Sequence, residues 1–110
     1  MKQPGTIRRN VLIFHSGALG DFVLSWPMAI AVGRVHAQSR VFYVAASEKG
    51  KLAERVLGVE SRDVEGGWGH LFGDIEKLPE GVRKILAGAR LVVNFVAEEK
   101  SQWVENVKEV

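Results

Sequence analysis

Two hydrophobic patterns alternate along this chain: short continuous apolar runs, and longer segments whose apolar residues recur three and four apart. Residues 10 to 15, NVLIFH, form a β-branched and aromatic run of the kind that a parallel sheet buries on both faces. Residues 18 to 36 then place Leu19, Phe22, Val23, Trp26, Ile30 and Val35 near one helical stripe, with Arg34 in the closing turn. Pro27 lies inside that stripe. It has no N–H for the preceding turn, which predicts a kink or a restart of the helix.

The alternation continues. RVFYVAAS (40 to 47) reads as a second strand, and EKGKLAERVLG (48 to 58) as a helix stopped at Gly58, where a left-handed cap is easy for glycine. RDVE (62 to 65) is a short third strand. GGWGHLFGD (66 to 74), with four glycines in nine residues, reads as a mobile loop. Pro79 opens the helix PEGVRKILAGA at the favoured first position. RLVVNFVA (90 to 97) is a fourth strand, and EEKSQWVENVKEV (98 to 110) a closing helix whose acidic first turn suits the helix dipole. Strands separated by helices pair in parallel through crossovers. The expected fold is α/β: one open three-layer Rossmann-like sandwich with a mostly parallel sheet, spanning residues 1 to 110.

Composition narrows the chemistry. The chain has 110 residues, 46% apolar and 25% charged, which is the balance of an ordinary globular domain. A net charge of +2 supplies no basic face and gives no argument for nucleic acid. The charge is uneven, however. Residues 1 to 55 carry 8 basic and 3 acidic side chains, and residues 56 to 110 carry 7 and 10, so an anionic ligand would favour the first half. Cysteine is absent, which removes disulfides, thiolate nucleophiles and cysteine-type zinc sites and fits a reducing compartment. The three histidines, His15, His36 and His70, stand too far apart for a local metal motif. No apolar run approaches the ~20 residues needed to span a bilayer, and VLIF is too short for a signal-peptide core, so the expected location is cytoplasmic.

In open parallel sheets ligands sit at the carboxyl ends of the strands, which directs attention to HSGALGD after the first strand. Gly17 and Gly20 form GxxG rather than the dinucleotide fingerprint GxGxxG. Such a turn lets a backbone approach closely and offers N–H groups to an anion or a hydroxyl-bearing substrate. Asp21 has two readings. As a first-turn carboxylate it stabilises the helix dipole by about 0.3 to 1 kcal/mol. As a group at the mouth of a crevice it could take the proton of an attacking hydroxyl.

Other residues carry paired readings too. Ser16 could bind a sugar or phosphate, or simply make the turn; Lys100 could neutralise a phosphate, or stay solvated. Trp68 and His70 could close over a sugar ring, or Trp68, Leu71 and Phe72 could pin their loop to the sheet. His15 could bond in the crevice or be a satisfied, half-buried histidine. Trp26 and Trp103 read as core. Arg8 and Arg9 could face an acidic lipid headgroup, or form a solvated edge.

VLIFHSGALGDFVLSWPMAIAV resembles the amino-terminal segment of the heptosyltransferase family of glycosyltransferases: a hydrophobic strand, a small-residue turn, a Gly-Asp pair matched by Gly20 and Asp21, and a proline matched by Pro27. The order of elements through residue 65 also fits. Near the end, Lys100 and Ser101 match a Lys-Ser pair common in that family. Asn94 stands where relatives have Asp, and Val96-Ala97 replace a Gln-Gly pair. The resemblance implies the amino-terminal, acceptor-binding half of a two-domain GT-B enzyme. Asp21 would then be the catalytic base, with Ser16, Gly17, Gly20, Lys100 and Ser101 near the acceptor.

The acceptor implied is a lipopolysaccharide-core or other cell-surface glycan or glycolipid. The donor is a nucleotide sugar held by a second domain that these 110 residues do not contain, so the chain alone is expected to be inactive. No cofactor is implied, and the lack of a DxD triplet agrees with a metal-independent mechanism. Peripheral contact with the cytosolic face of the inner membrane and self-association through an exposed sheet edge complete the expectation. The competing reading is a non-catalytic Rossmann-like module that binds a nucleotide or a protein, with Asp21 as a cap.

Overall fold

The computed structural model describes residues 9 to 98 and 100 to 110; Arg8, one of the two arginines considered for a lipid surface, lies outside them. Four strands form one parallel sheet in the order β3-β2-β1-β4. They are β1 (Asn10–His15), β2 (Arg40–Ala45), β3 (Glu60–Asp63) and β4 (Ala89–Phe95). Five helices accompany them: α1 (Leu19–Leu24), α2 (Trp26–Val35), α3 (Ser47–Leu57), α4 (Glu80–Ala87) and α5 (Gln102–Glu109). The fold is the expected α/β sandwich of Rossmann type. No helix among the described residues is long and apolar enough to cross a membrane.

The sheet's two faces have separate cores because alternate residues of each strand point opposite ways. Val11, Ile13, Tyr43 and Ala45 pack with Phe22, Ala29 and Ala53 of α1 to α3. Leu12, Phe14, Phe42 and Val44 pack with α4, α5 and the segment between β3 and α4. On this second face Phe14 sits edge-on to Trp103, with ring centroids 4.9 Å apart, and to Trp68 at 5.5 Å. Such aromatic pairs add about 0.5 to 1.5 kcal/mol each beyond the area that they bury. β1, buried at every position, is the axis of both cores.

The structure bears out one local expectation and corrects several others. The helical segment 18 to 36 restarts at Trp26, with Pro27 in the first turn of α2, where its missing N–H costs nothing. Its sheet-facing row is Phe22, Ser25, Ala29 and Val32, with Trp26 half-buried beside it, so of the expected stripe only Phe22 and Trp26 reach the core. Leu19, Val23, Ile30 and Val35 are exposed, the last at 79%. Beyond Phe22, α2 lies close to the sheet over the small side chains Ser25 and Ala29, and the aliphatic residues of the stripe fall on its flank. β3 is Glu60–Asp63, two residues earlier than expected, because its register is set by pairing with β2 (Phe42 with Glu60, Ala45 with Asp63) and not by apolar residues of its own.

The glycine-rich segment 66 to 74 is built rather than open. It forms a 3-10 turn, Trp68–Phe72, followed by a second, Ile75–Lys77. Trp68 and Leu71 are buried, and Asn106 of α5 donates its side-chain N–H to the Leu71 carbonyl at 2.8 Å. Gly67 takes φ +96° under the Pro79 ring, where a Cβ would come within 2.4 Å of Cγ, so only glycine fits at the start of this turn. Phe72, expected to help pin the loop, is exposed. Pro79 precedes α4 as its cap residue, one position before the helix starts.

Candidate functional site

Helices leave β1 toward one face of the sheet and leave β4 toward the other, so the carboxyl ends of these neighbouring strands bound a crevice at the topological switch point. HSGALGD occupies that end of β1. His15, its last residue, is buried at 6% exposure, edge-on to Phe22 and tilted against Phe95 of β4, both with ring centroids at 5.4 Å. Its Nδ1 accepts the Gly17 N–H at 3.0 Å, so the neutral ring carries its proton on Nε2. Burial and the nearby Lys49 ammonium hold the His15 pKa below its ordinary 6.5, while the Asp21 charge and a backbone hydrogen bond to Asp21 push the other way.

Gly17 is gripped on its other side as well. Lys49, reaching from the first turn of α3, donates from Nζ to the Gly17 carbonyl at 2.5 Å. Position 17 must be glycine here, because a Cβ would lie 2.7 Å from His15 Cε1 and 3.4 Å from Asp21 Cβ. Gly20 has open space around it, so no close approach explains its lack of a side chain. Ser16 is exposed at the turn.

Asp21 is exposed in the first turn of α1. Its carboxylate makes no side-chain hydrogen bond or ion pair among the described residues, and α1 has no side-chain cap. The cap reading therefore keeps only the dipole contribution, not the hydrogen bonds. The N–H groups offered by this turn are also fewer than expected. Gly17's goes to His15, and α1, whose first intrahelical bond runs from the Phe22 N–H to the Ala18 carbonyl, is only six residues long.

The β4 side of the crevice is tied by Asn94. Its Oδ1 accepts from the N–H groups of Val96 and Ala97, both at 2.9 Å, and its Nδ2 donates to the Ala97 carbonyl at 2.8 Å. This residue, which stands where the resembling family has Asp, staples its own turn. Ser101 is the N-cap of α5: its Oγ accepts from Val104 N–H at 3.4 Å. The closing helix thus begins at Gln102 and not at residue 98, and Lys100 precedes it as an exposed residue of the connection. The structure brings Ser16, Gly17 and Asp21 together at the end of β1, and Lys100 and Ser101 to the connection that leaves β4.

A small cavity of about 120 Å³ opens at the same end of the sheet, walled by Phe14, Trp68, Phe72 and Trp103 with Ser16 as its one hydroxyl. A larger cavity, about 520 Å³, lies between β4 and α5 and borders the Asn94 turn, lined by Val92, Asn94, Ala97, Val104, Val107 and Lys108. That larger space is the apolar flank of an open sheet edge and brings no reactive groups together. The strand-end crevice is the better candidate site despite its size.

Sequence reasoning missed Lys49. The signal was available: a cation in the first turn of a helix opposes the helix dipole, so one that stays there has a local partner. Among the described residues no group of three or more metal-ligating side chains comes together. No family model, curated protein or solved structure matches this chain.

Proposed function

We propose that this chain is the acceptor-binding domain of a glycosyltransferase that moves a heptose-like sugar from a nucleotide diphosphate to a surface-glycan or glycolipid acceptor at the cytosolic face of a membrane. The observation that carries this reading is the Asp21 carboxylate, exposed and without a side-chain hydrogen bond or ion pair among the described residues, on a turn fixed from both sides at the switch point of a parallel sheet.

Asp21 accepts the proton of the acceptor hydroxyl as its oxygen forms the new bond to the anomeric carbon. The bond from that carbon to the diphosphate oxygen breaks, and the nucleoside diphosphate leaves with the electron pair. Donor binding and stabilisation of the leaving phosphates fall to a second domain outside these 110 residues.

Asp21→Asn in the longest natural form of the protein tests the assignment. Transfer from a nucleotide sugar should fall roughly 10²- to 10⁴-fold in kcat with acceptor KM retained. Stability should stay within about 0.5 kcal/mol, because no hydrogen bond is lost. Unchanged turnover removes Asp21 as the base and leaves the carboxylate to the helix dipole.

A further inference from the structure

We infer that His15 and Lys49 are positioning residues that clamp the Gly17 peptide and so fix the turn carrying Asp21, and that the clamp opens when the His15 ring takes a second proton. The consequence for catalysis rests on the reading of Asp21 as base; the clamp itself does not.

The Gly17 peptide is bonded at both ends by side chains from different elements, its N–H to His15 of β1 and its carbonyl to Lys49 of α3. The imidazole cannot swing away, because it is buried against Phe22 and Phe95. Glycine at 17 permits the close approach that the first bond needs. Gly17 lies two residues before α1, whose first turn carries Asp21, so the Gly17 backbone sets where that helix starts and where it holds the carboxylate.

The bond to Nδ1 exists only for the neutral ring. In the imidazolium both nitrogens carry protons, and an Nδ1–H would meet the Gly17 N–H, donor against donor. The charged groups facing the ring are Lys49 on α3, which opposes protonation, and Asp21 on α1, which favours it; the side chains facing it from α1 and β4, Phe22 and Phe95, are uncharged. With the folded-state pKa held below 6.5, the clamp is closed at neutral pH. It opens only as pH falls below 6.5 through that lowered value, which is also where the folded state loses stability to an unfolded chain that takes the proton more readily.

Nuclear magnetic resonance on the 110-residue chain tests this without any assay of transfer. At neutral pH the ring nitrogen shifts of His15 should show the Nε2–H tautomer. On acidification the Gly17 amide signal should move with the His15 titration, at a midpoint below 6.5 and also in an Asp21→Asn background. His15→Asn, which can keep an acceptor near the Nδ1 position, should hold the Gly17 amide protected with no titration. His15→Phe, which keeps an aromatic ring but no acceptor, should speed its hydrogen exchange about tenfold or more, the factor that a 1.4 kcal/mol bond represents. Lys49→Met should raise the midpoint.

A Gly17 amide indifferent to the His15 titration, or as protected in His15→Phe as in the natural chain, overturns the proposal. In the longest form, His15→Asn should flatten the acid limb of kcat with KM unchanged; a limb that persists overturns the link to catalysis. If the clamp responds as stated while Asp21→Asn leaves transfer intact, the functional reading fails and the clamp stands.

Discussion

Asn94→Ala should be among the costliest polar substitutions in the domain, although the residue is only half-buried. The change removes two bonds from the Val96 and Ala97 N–H groups and one to the Ala97 carbonyl, all at 2.8 to 2.9 Å. Each such bond contributes about 1 kcal/mol net, and water can replace part of the loss at this depth, so the expected cost is about 2 kcal/mol. Asn94→Asp separates the bonds. It keeps both acceptor contacts but puts a carboxylate oxygen where Nδ2 meets the Ala97 carbonyl, exchanging a hydrogen bond for a repulsion, at about 1 to 2 kcal/mol near neutral pH.

Urea unfolding at 25 °C, followed by the fluorescence of the buried Trp68 and Trp103, measures both. The transition midpoint should fall with the denaturant dependence unchanged. If Asn94→Ala lies within about 0.5 kcal/mol of the natural chain, the β4–α5 turn holds itself and the side chain's bonds are incidental. If Asn94→Asp is as stable as the natural chain, the donor to Ala97 contributes nothing, and this position could carry the family's Asp without loss.

Further outcomes follow from other contacts. Tyr43 donates its hydroxyl proton to Ser25 Oγ, which in turn donates to the Phe22 carbonyl, both at 2.6 Å, so Tyr43→Phe should cost about 1 kcal/mol in the same unfolding experiment. Burial raises the Tyr43 pKa above its ordinary 10.0, the Ser25 bond opposing. An unfolded chain ionises first, so stability should decline as pH rises above 10.0, and Tyr43→Phe should abolish that decline; tyrosinate absorbance reports on this residue alone, since the chain has one tyrosine. At the sheet's open edge, Val93→Lys should suppress a concentration-dependent self-association of the isolated chain seen by sedimentation equilibrium; a natural chain that stays monomeric at all concentrations sinks this expectation.

The strands β1, β2 and β4 were legible because each is a continuous apolar run, and the fold class followed from their alternation with helices. β3 was misplaced because ESRD has no hydrophobic pattern; it is a strand only by virtue of pairing with β2. The stripe on residues 18 to 36 failed for a related reason. Periodicity selects a face but not the distance to the sheet, and here close packing selected Ser25 and Ala29 over Leu19 and Ile30. At the site, the turn and its Asp were legible from GxxGD after a strand. The bonds from His15, Lys49 and Asn94 were not, because each joins a side chain to a backbone group whose position only the folded chain determines.

The bonds of those three residues share a placement that bears on what the site does. The connections leaving β1 and β4 flank the same crevice, and each is fixed by side chains bonded to backbone: His15 and Lys49 on one, Asn94 on the other. Neither connection is stiffened by regular secondary structure at that point. The Asp21 carboxylate, on the β1 side, makes no side-chain hydrogen bond or ion pair among the described residues. The N-cap position of α1 is Ala18, which has no hydrogen-bonding side chain to offer, and Asp21, in the first turn, contributes to α1 through the helix dipole while its carboxylate stays exposed. Rigid backbone around an unpaired base is the arrangement that lowers the cost of orienting it toward a substrate hydroxyl. That placement is what the proposed reading of Asp21 as base requires, and the turnover of Asp21→Asn decides between it and a role in the stability of α1.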